Sequence, residues 1–281
     1  MVVVTSTANP AVKAARKLVR RHGRARAGDA FLVEGRQAVR EAVPFLQQLF
    51  VSPAPSPHDD LVAAAKAAGV PVVEVSDAVL AELTTTVTPQ GIVGVAAVDA
   101  PALDALVADS RLLVVLHQVR DPGNAGTAIR TADAAGADGV VLTAGSVDAH
   151  NPKAVRSSSG SVFHLPVVGD ASFSDVAAAC RDHGVRLVAA AAAGVTDYTD
   201  TDLAGAVALV FGNEAHGLPV NVLDACDEIV RVPLHIMIRS GYSGTAESLN
   251  LAATVAVLAF ESVRQHSASR PRSAHAAPST R

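Results

Sequence analysis

The chain has 281 residues, of which 49% are hydrophobic, 18% charged and 3% aromatic, with no Trp. That apolar share excludes an intrinsically disordered protein, and no apolar run is as long as a bilayer-spanning helix requires. The formal net charge of −4 conceals two basic ends: residues 1–40 carry nine Lys/Arg against Asp29 and Glu34, and residues 262–281 carry four Arg and no acid. Seven of these basic residues fall between Lys13 and Arg26 with no acid among them, a density that a phosphate backbone neutralises with counterion release. Cys180 and Cys226, the only cysteines, form neither a disulfide framework nor a metal spacing and read as buried apolar fillers. Met1 to Thr5 lacks the order of a secretory signal, so a soluble cytoplasmic protein is expected.

Asn9-Pro10 followed by Ala11 to Arg21 predicts a capped basic helix, broken at Gly23. A strand at 30–34, a helix at 35–43, a strand at 49–52, a helix at 58–68, a strand at 70–75, a helix at 77–83 and a strand at 92–98 follow. Together they read as a small α/β domain over 1–99, with 100–110 as a linker. A second alternation occupies 111–265: strand 112–116, helix 127–135, strand 139–142, helix 152–158, strand 162–167, helix 173–183, strands 186–191 and 206–211, and a closing helix 246–263. Continuous apolar strands alternating with helices predict a mostly parallel sheet covered on both faces. Residues 266–281, rich in Ser, Ala, Pro and Arg, read as a disordered basic tail.

Three turns stand at the ends of apolar segments. Asp121-Pro122-Gly123-Asn124-Ala125-Gly126, with Arg130 one turn beyond, follows a buried strand, where open α/β sheets place ligands. Phe211-Gly212-Asn213-Glu214 runs a strand straight into a loop that exposes amides and a carboxylate. Glu247-Ser248-Leu249-Asn250 suits the start of the closing helix, where unpaired N–H groups are available. Each turn alone reads as an ordinary turn or cap. His117 and His216 have no second ligand at metal spacing and read as structural.

In this order and spacing the three turns resemble the motifs of the SpoU (TrmH) branch of the SPOUT RNA methyltransferases, over residues 111–263. Asn9-Pro10 through Arg21, with Phe31-Leu32-Val33-Glu34-Gly35-Arg36, resembles the ribosomal-protein-like substrate domain that often precedes that fold. The resemblance implies a C-terminal trefoil knot, S-adenosylmethionine bound among the knot loops, a homodimer, and methyl transfer to a ribose 2′-hydroxyl of RNA. The segment 235–244 is longer than the family usually carries between Pro233 and Ser248.

By the same resemblance Arg130, Asn124, Glu214, Ser248 and Asn250 are the catalytic set. Arg130 stabilises the developing alkoxide rather than acting as a base, because a guanidinium stays protonated. Ala190, Ala191, Ala192, Gly212, Asn213, Val232, Leu234, Ser248 and Leu249 are the cofactor candidates. Lys13, Arg16, Lys17, Arg20, Arg21, Arg24 and Arg156 are the RNA candidates. Few aromatics favour structured RNA over a single strand, and the fused domain favours large-subunit ribosomal RNA over transfer RNA. Housekeeping modification and antibiotic self-resistance both stay open, as does a catalytically silent RNA-binding scaffold. A nicotinamide-dependent oxidoreductase loses for want of GxGxxG with its downstream acid.

Overall fold

The structure is a computed structural model that describes residues 3–19, 28–53, 57–97, 99–234 and 248–269. The N-terminal unit comprises α1 (Pro10–Val19), β1 (Ala30–Glu34), α2 (Arg36–Ala42), β2 (Leu46–Val51), α3 (Asp59–Ala67), β3 (Val72–Glu74), α4 (Asp77–Ala81) and β4 (Ile92–Ala97). Its four strands are ordered β1-β4-β2-β3, with β4 antiparallel to both neighbours and β2 parallel to β3. Alternation along β1 sends Phe31 and Val33 to one face, against α2 and α3, and Leu32 to the other, against α1 and α4.

After α5 (Leu103–Ala108) the second unit runs β5 (Leu112–Leu116), α6 (Pro122–Ala135), β6 (Gly139–Thr143), α7 (Pro152–Ser158), β7 (Val167–Ala171), α8 (Phe173–Asp182) and β8 (Arg186–Ala190). It continues with β9 (Thr196–Asp197), β10 (Val207–Phe211), α9 (Val220–Leu223), β11 (Glu228–Arg231) and α10 (Leu251–Ser269). Seven parallel strands are ordered β7-β6-β5-β10-β8-β11-β9. Leu112, Val114 and Leu116 of β5 face α6 and α10, while Leu113 and Val115 face α5, α8 and α9. Burial on both faces explains why these strands read as unbroken apolar runs. Among the described residues no helix is long and apolar enough to cross a membrane.

Several boundaries differ from the sequence expectations. The turn Asp121–Gly126 is not a loop but largely the first turns of α6: the Asp121 carboxylate caps the helix by accepting from the Asn124 N–H at 2.8 Å, and Pro122 occupies the first turn. Residues 161–163 form a 3₁₀ turn, and the strand expected at 162–167 starts only at Val167. The presumed linker 100–110 contains α5, whose Leu106 and Val107 are buried. The closing helix starts at Leu251 rather than residue 246 and runs to Ser269, four residues into the stretch read as tail. The basic helix ends at Val19 in the described part; Arg20, Arg21, Arg24 and Gly23 lie outside the described residues. Strands β9 and β11 and helix α9, four residues or fewer each, carried too little periodicity to be seen.

The two units pack through the 155–164 segment. Val155 joins the apolar core under β1 and α2, and the Phe163 ring stacks on both Phe31 and Phe45, with centroids 5.8 and 5.7 Å away. Arg156 Nη1 donates to Glu34 Oε2 at 3.2 Å, and His164 bridges Glu41 of α2 and Asp133 of α6 at 3.1 and 3.3 Å.

Candidate active site

The site lies at the C-terminal edge of the parallel sheet, where β5, β10 and β8 end. Two features of α6 bring its first turn there. Asp121 and Pro122 start the helix directly after β5, and Gly126 lets α7 approach. A Cβ on Gly126 would run into the Ser157 hydroxyl and the Ala154 carbonyl. The Asp121 carboxyl is held below its ordinary range, first by the Asn124 N–H and then by the Lys153 ammonium 3.1 Å away.

Asn124 projects from that first turn. Its Nδ2 donates to Glu214 Oε1 at 2.9 Å, and its Oδ1 accepts from Asn250 Nδ2 at 3.0 Å. Asn250 is fixed in turn because its Oδ1 accepts from the Ala252 N–H at 2.9 Å, capping the start of α10. Glu214 follows β10, on a loop that folds back sharply: a Cβ on Gly212 would strike the backbone of Gly217 and Leu218. Asn213 ties this loop to the one after β5, donating from Nδ2 to the Gln118 carbonyl at 2.8 Å. Three turns separated by 90 and 126 residues are therefore joined by direct side-chain bonds.

Beside this line of amides runs a cleft of about 180 Å³. All nine residues expected to hold the cofactor line it: Ala190, Ala191, Ala192, Gly212, Asn213, Val232, Leu234, Ser248 and Leu249. Sequence reasoning missed Phe211, Leu251 and Thr254, which complete the wall. Phe211 and Leu251 carried only the signature of core residues, and Thr254 that of a helix surface. The small alanines and the bare Gly212 backbone leave a slot for a flat ring, and the Glu214 carboxylate, which also lines the cleft, suits a positively charged group. The residues present thus fit S-adenosylmethionine. The long segment 235–244 and Glu247 lie outside the described residues.

Arg130 stands apart. Its Nη1 donates to Ser159 Oγ at 3.2 Å, and no bond joins it to Asn124, Glu214 or Asn250 among the described residues. Of the RNA candidates, Lys13 and Lys17 are exposed on α1, Arg16 pairs with Glu82 at 2.7 Å, and Arg156 pairs with Glu34 across the domain interface. His117 is buried, which lowers its pKa; its Nδ1 meets Thr143 Oγ1 at 3.1 Å. His216 is exposed. Burial pushes the Cys180 thiol up to about 11 and the Cys226 thiol up to about 12, so neither supplies a thiolate at neutral pH.

The model of the SpoU rRNA Methylase family matches residues 111–260, and that of the MRM3-like substrate binding domain matches residues 9–94. The chain belongs to the SpoU rRNA methylase family. A relative within reach of this family assignment is the 23S rRNA (guanosine(2553)-2′-O)-methyltransferase RlmP of Bacillus subtilis, 33% identical over 92% of this chain and 97% of that one. The AdoMet-bound rRNA methyltransferase of Sinorhizobium meliloti has a similar structure, with a TM-score of 0.77 and 34% identity over 94% of this chain and 97% of that one. So does the SpoU methyltransferase AviRb of Streptomyces viridochromogenes in complex with the cofactor AdoMet, with a TM-score of 0.77 and 29% identity over 92% of this chain and all of that one. As a SpoU methylase the chain is an RNA 2′-O-methyltransferase that uses S-adenosylmethionine.

Proposed function

We propose that this chain methylates a ribose 2′-hydroxyl of large-subunit ribosomal RNA in the cytoplasm, with the cofactor in the cleft between Ala190–Ala192 and Leu249. The observation that carries the reading is the hydrogen-bonded line Asn250–Asn124–Glu214, which ties the turns at 124 and 250 to Glu214 on the wall of that cleft. The sulfonium supplies an activated methyl group, so the chain's task is to align and polarise the acceptor. Ala190–Ala192 and the Gly212 backbone hold the adenine and ribose, Glu214 and Ser248 flank the charged end, and Asn124 fixes the rim. Arg130 grips a phosphate beside the acceptor ribose and stabilises the oxygen as its proton passes to solvent water.

Arg130 donates to Ser159 and shares no bond with Asn124, Glu214 or Asn250 among the described residues, which supports a homodimer in which it serves the partner's cleft. An apolar side chain open to such a contact lies on α10, which packs along α6: Phe260 is 50% exposed. We also propose that the C-terminal part of the methylase unit forms the trefoil knot that the family resemblance implies. Lys13 and Lys17, with the basic residues that follow α1, dock the RNA backbone, and a salt-dependent affinity is expected of them. Incubation with labelled S-adenosylmethionine and a 23S transcript tests the reading: label enters the RNA with the unaltered protein and far more slowly with Arg130→Lys. Absence of label from the unaltered protein would refute it.

A further inference from the structure

The two domains leave between them a cleft of about 190 Å³. One wall belongs to the substrate-binding domain and presents Arg36, Thr84, Thr86, Thr88 and Gln90. The other is the C-terminal end of α7 and presents Arg156 and Ser159. Arg36 is turned to the Asp60 carboxylate and the Pro57 carbonyl, so the cation offered to the cleft is Arg156.

Glu34, which also lines the cleft, is only 3% exposed, and both of its oxygens are engaged. Oε1 accepts from the Thr85 N–H and hydroxyl at 2.7 and 2.8 Å, and Oε2 from Arg156 Nη1. A pair of this kind adds little net stability, since desolvation offsets the attraction. It does fix direction. Nη1 is anchored, and the side chain, 40% exposed, lines the cleft with the rest of its fork unspent on Glu34.

Ser159 links the cleft to the reaction. It holds a left-handed backbone, φ 51°, uncommon for a residue other than glycine, and its hydroxyl accepts from Arg130. The cleft therefore opens beside the guanidinium assigned to the acceptor ribose. The basic helix α1 packs instead on the opposite face of the N-terminal sheet from the methylase unit.

We propose that this interdomain cleft binds one unpaired nucleotide of the substrate RNA, a neighbour of the nucleotide that is methylated, with Arg156 on its phosphate and the Thr86 and Thr88 hydroxyls on its sugar or base edge. The proposal rests on the reading of the chain as an RNA methyltransferase. A duplex does not fit the space, whereas hydroxyls, an amide and an oriented guanidinium are the groups that recognise splayed single nucleotides.

Titration of a 23S transcript against the full-length protein tests this. The transcript Kd is expected to rise about fivefold in Thr86→Val/Thr88→Val and about tenfold in Arg156→Lys, with the Kd for S-adenosylmethionine unchanged in both. The threonine variant decides, because it leaves the Glu34–Arg156 pair intact and removes only two hydroxyls from a polar wall. Wild-type transcript affinity in that variant overturns the proposal. A failure of the methyltransferase reading would register separately, as no methyl transfer by the unaltered protein, while the titration would still report on the cleft.

Discussion

Asn250 and Asn124 stand 126 residues apart and share one hydrogen bond, from Asn250 Nδ2 to Asn124 Oδ1, at 3.0 Å. Asn124 passes the connection on to Glu214, so its amide accepts on one side and donates on the other. An ionised carboxylate of the same shape accepts on both sides and donates on neither.

Asn124→Asp places a carboxylate against Glu214 and removes the donor between them. Loss of that bond together with like-charge repulsion at the cleft costs about 1–3 kcal/mol. Methyl transfer is therefore expected to fall about 10- to 100-fold, measured as initial rate at saturating cofactor. Asn124→Asp with an unchanged rate would remove the amide line from the mechanism.

Arg130→Lys keeps the charge and loses the planar fork. Turnover is expected to drop about 10²–10³-fold, as on removal of a transition-state donor, with the cofactor Kd unmoved. Because Arg130 is assigned to the partner's cleft, mixing Arg130→Lys with Asn250→Ala should restore part of the activity through dimers that keep one intact site. No recovery on mixing would place Arg130 in its own chain's site.

How much of this was legible in the sequence depended on range. The helix caps were local, and Asp121-Pro122 already carried the start of α6; the glycines at 123 and 126 made it look like a loop. Gly126 is there because α7 crosses at that point, which no local pattern states. The cleft proposed for the cofactor was legible only through resemblance, because Ala190, Gly212, Val232 and Leu249 share no periodicity. Arg156 read as a free phosphate ligand since its partner Glu34 lies 122 residues earlier, in another domain. Strand 162–167 failed for a related reason: Val162 and Phe163 are apolar to meet the N-terminal domain and not to enter the sheet.

His164 gives the domain interface a pH dependence. Burial pulls its imidazole down, but the Glu41 and Asp133 carboxylates outweigh that and leave its pKa above the ordinary value. The folded state therefore binds the proton more tightly, and the stabilisation is full below the unfolded pKa of about 6.5 and fades as pH rises through the higher folded value. The Tm of His164→Gln should lie below that of the unaltered protein at pH 5.5 and approach it at pH 8.5. Equal Tm differences at both pH values would show that the pair carries no such linkage.

Gly126→Ala tests the close crossing of α6 and α7. The new methyl meets the Ser157 hydroxyl and the Ala154 carbonyl, and backbone cannot yield as a side-chain tip would. A loss of about 1–3 kcal/mol is expected, lowering Tm by about 2–10 °C in thermal unfolding. An unchanged Tm would mean that the two helices can separate freely.

The central claim is that three remote turns build one cleft from which a methyl group passes to a sugar oxygen. Mapping ribose methylation across a 23S transcript after reaction with the protein and S-adenosylmethionine tests it most directly. The account predicts a 2′-O-methyl mark at a defined nucleotide, formed about 10- to 100-fold more slowly with Asn124→Asp. A mark on a base, or the same mark formed as fast with that variant, would contradict it.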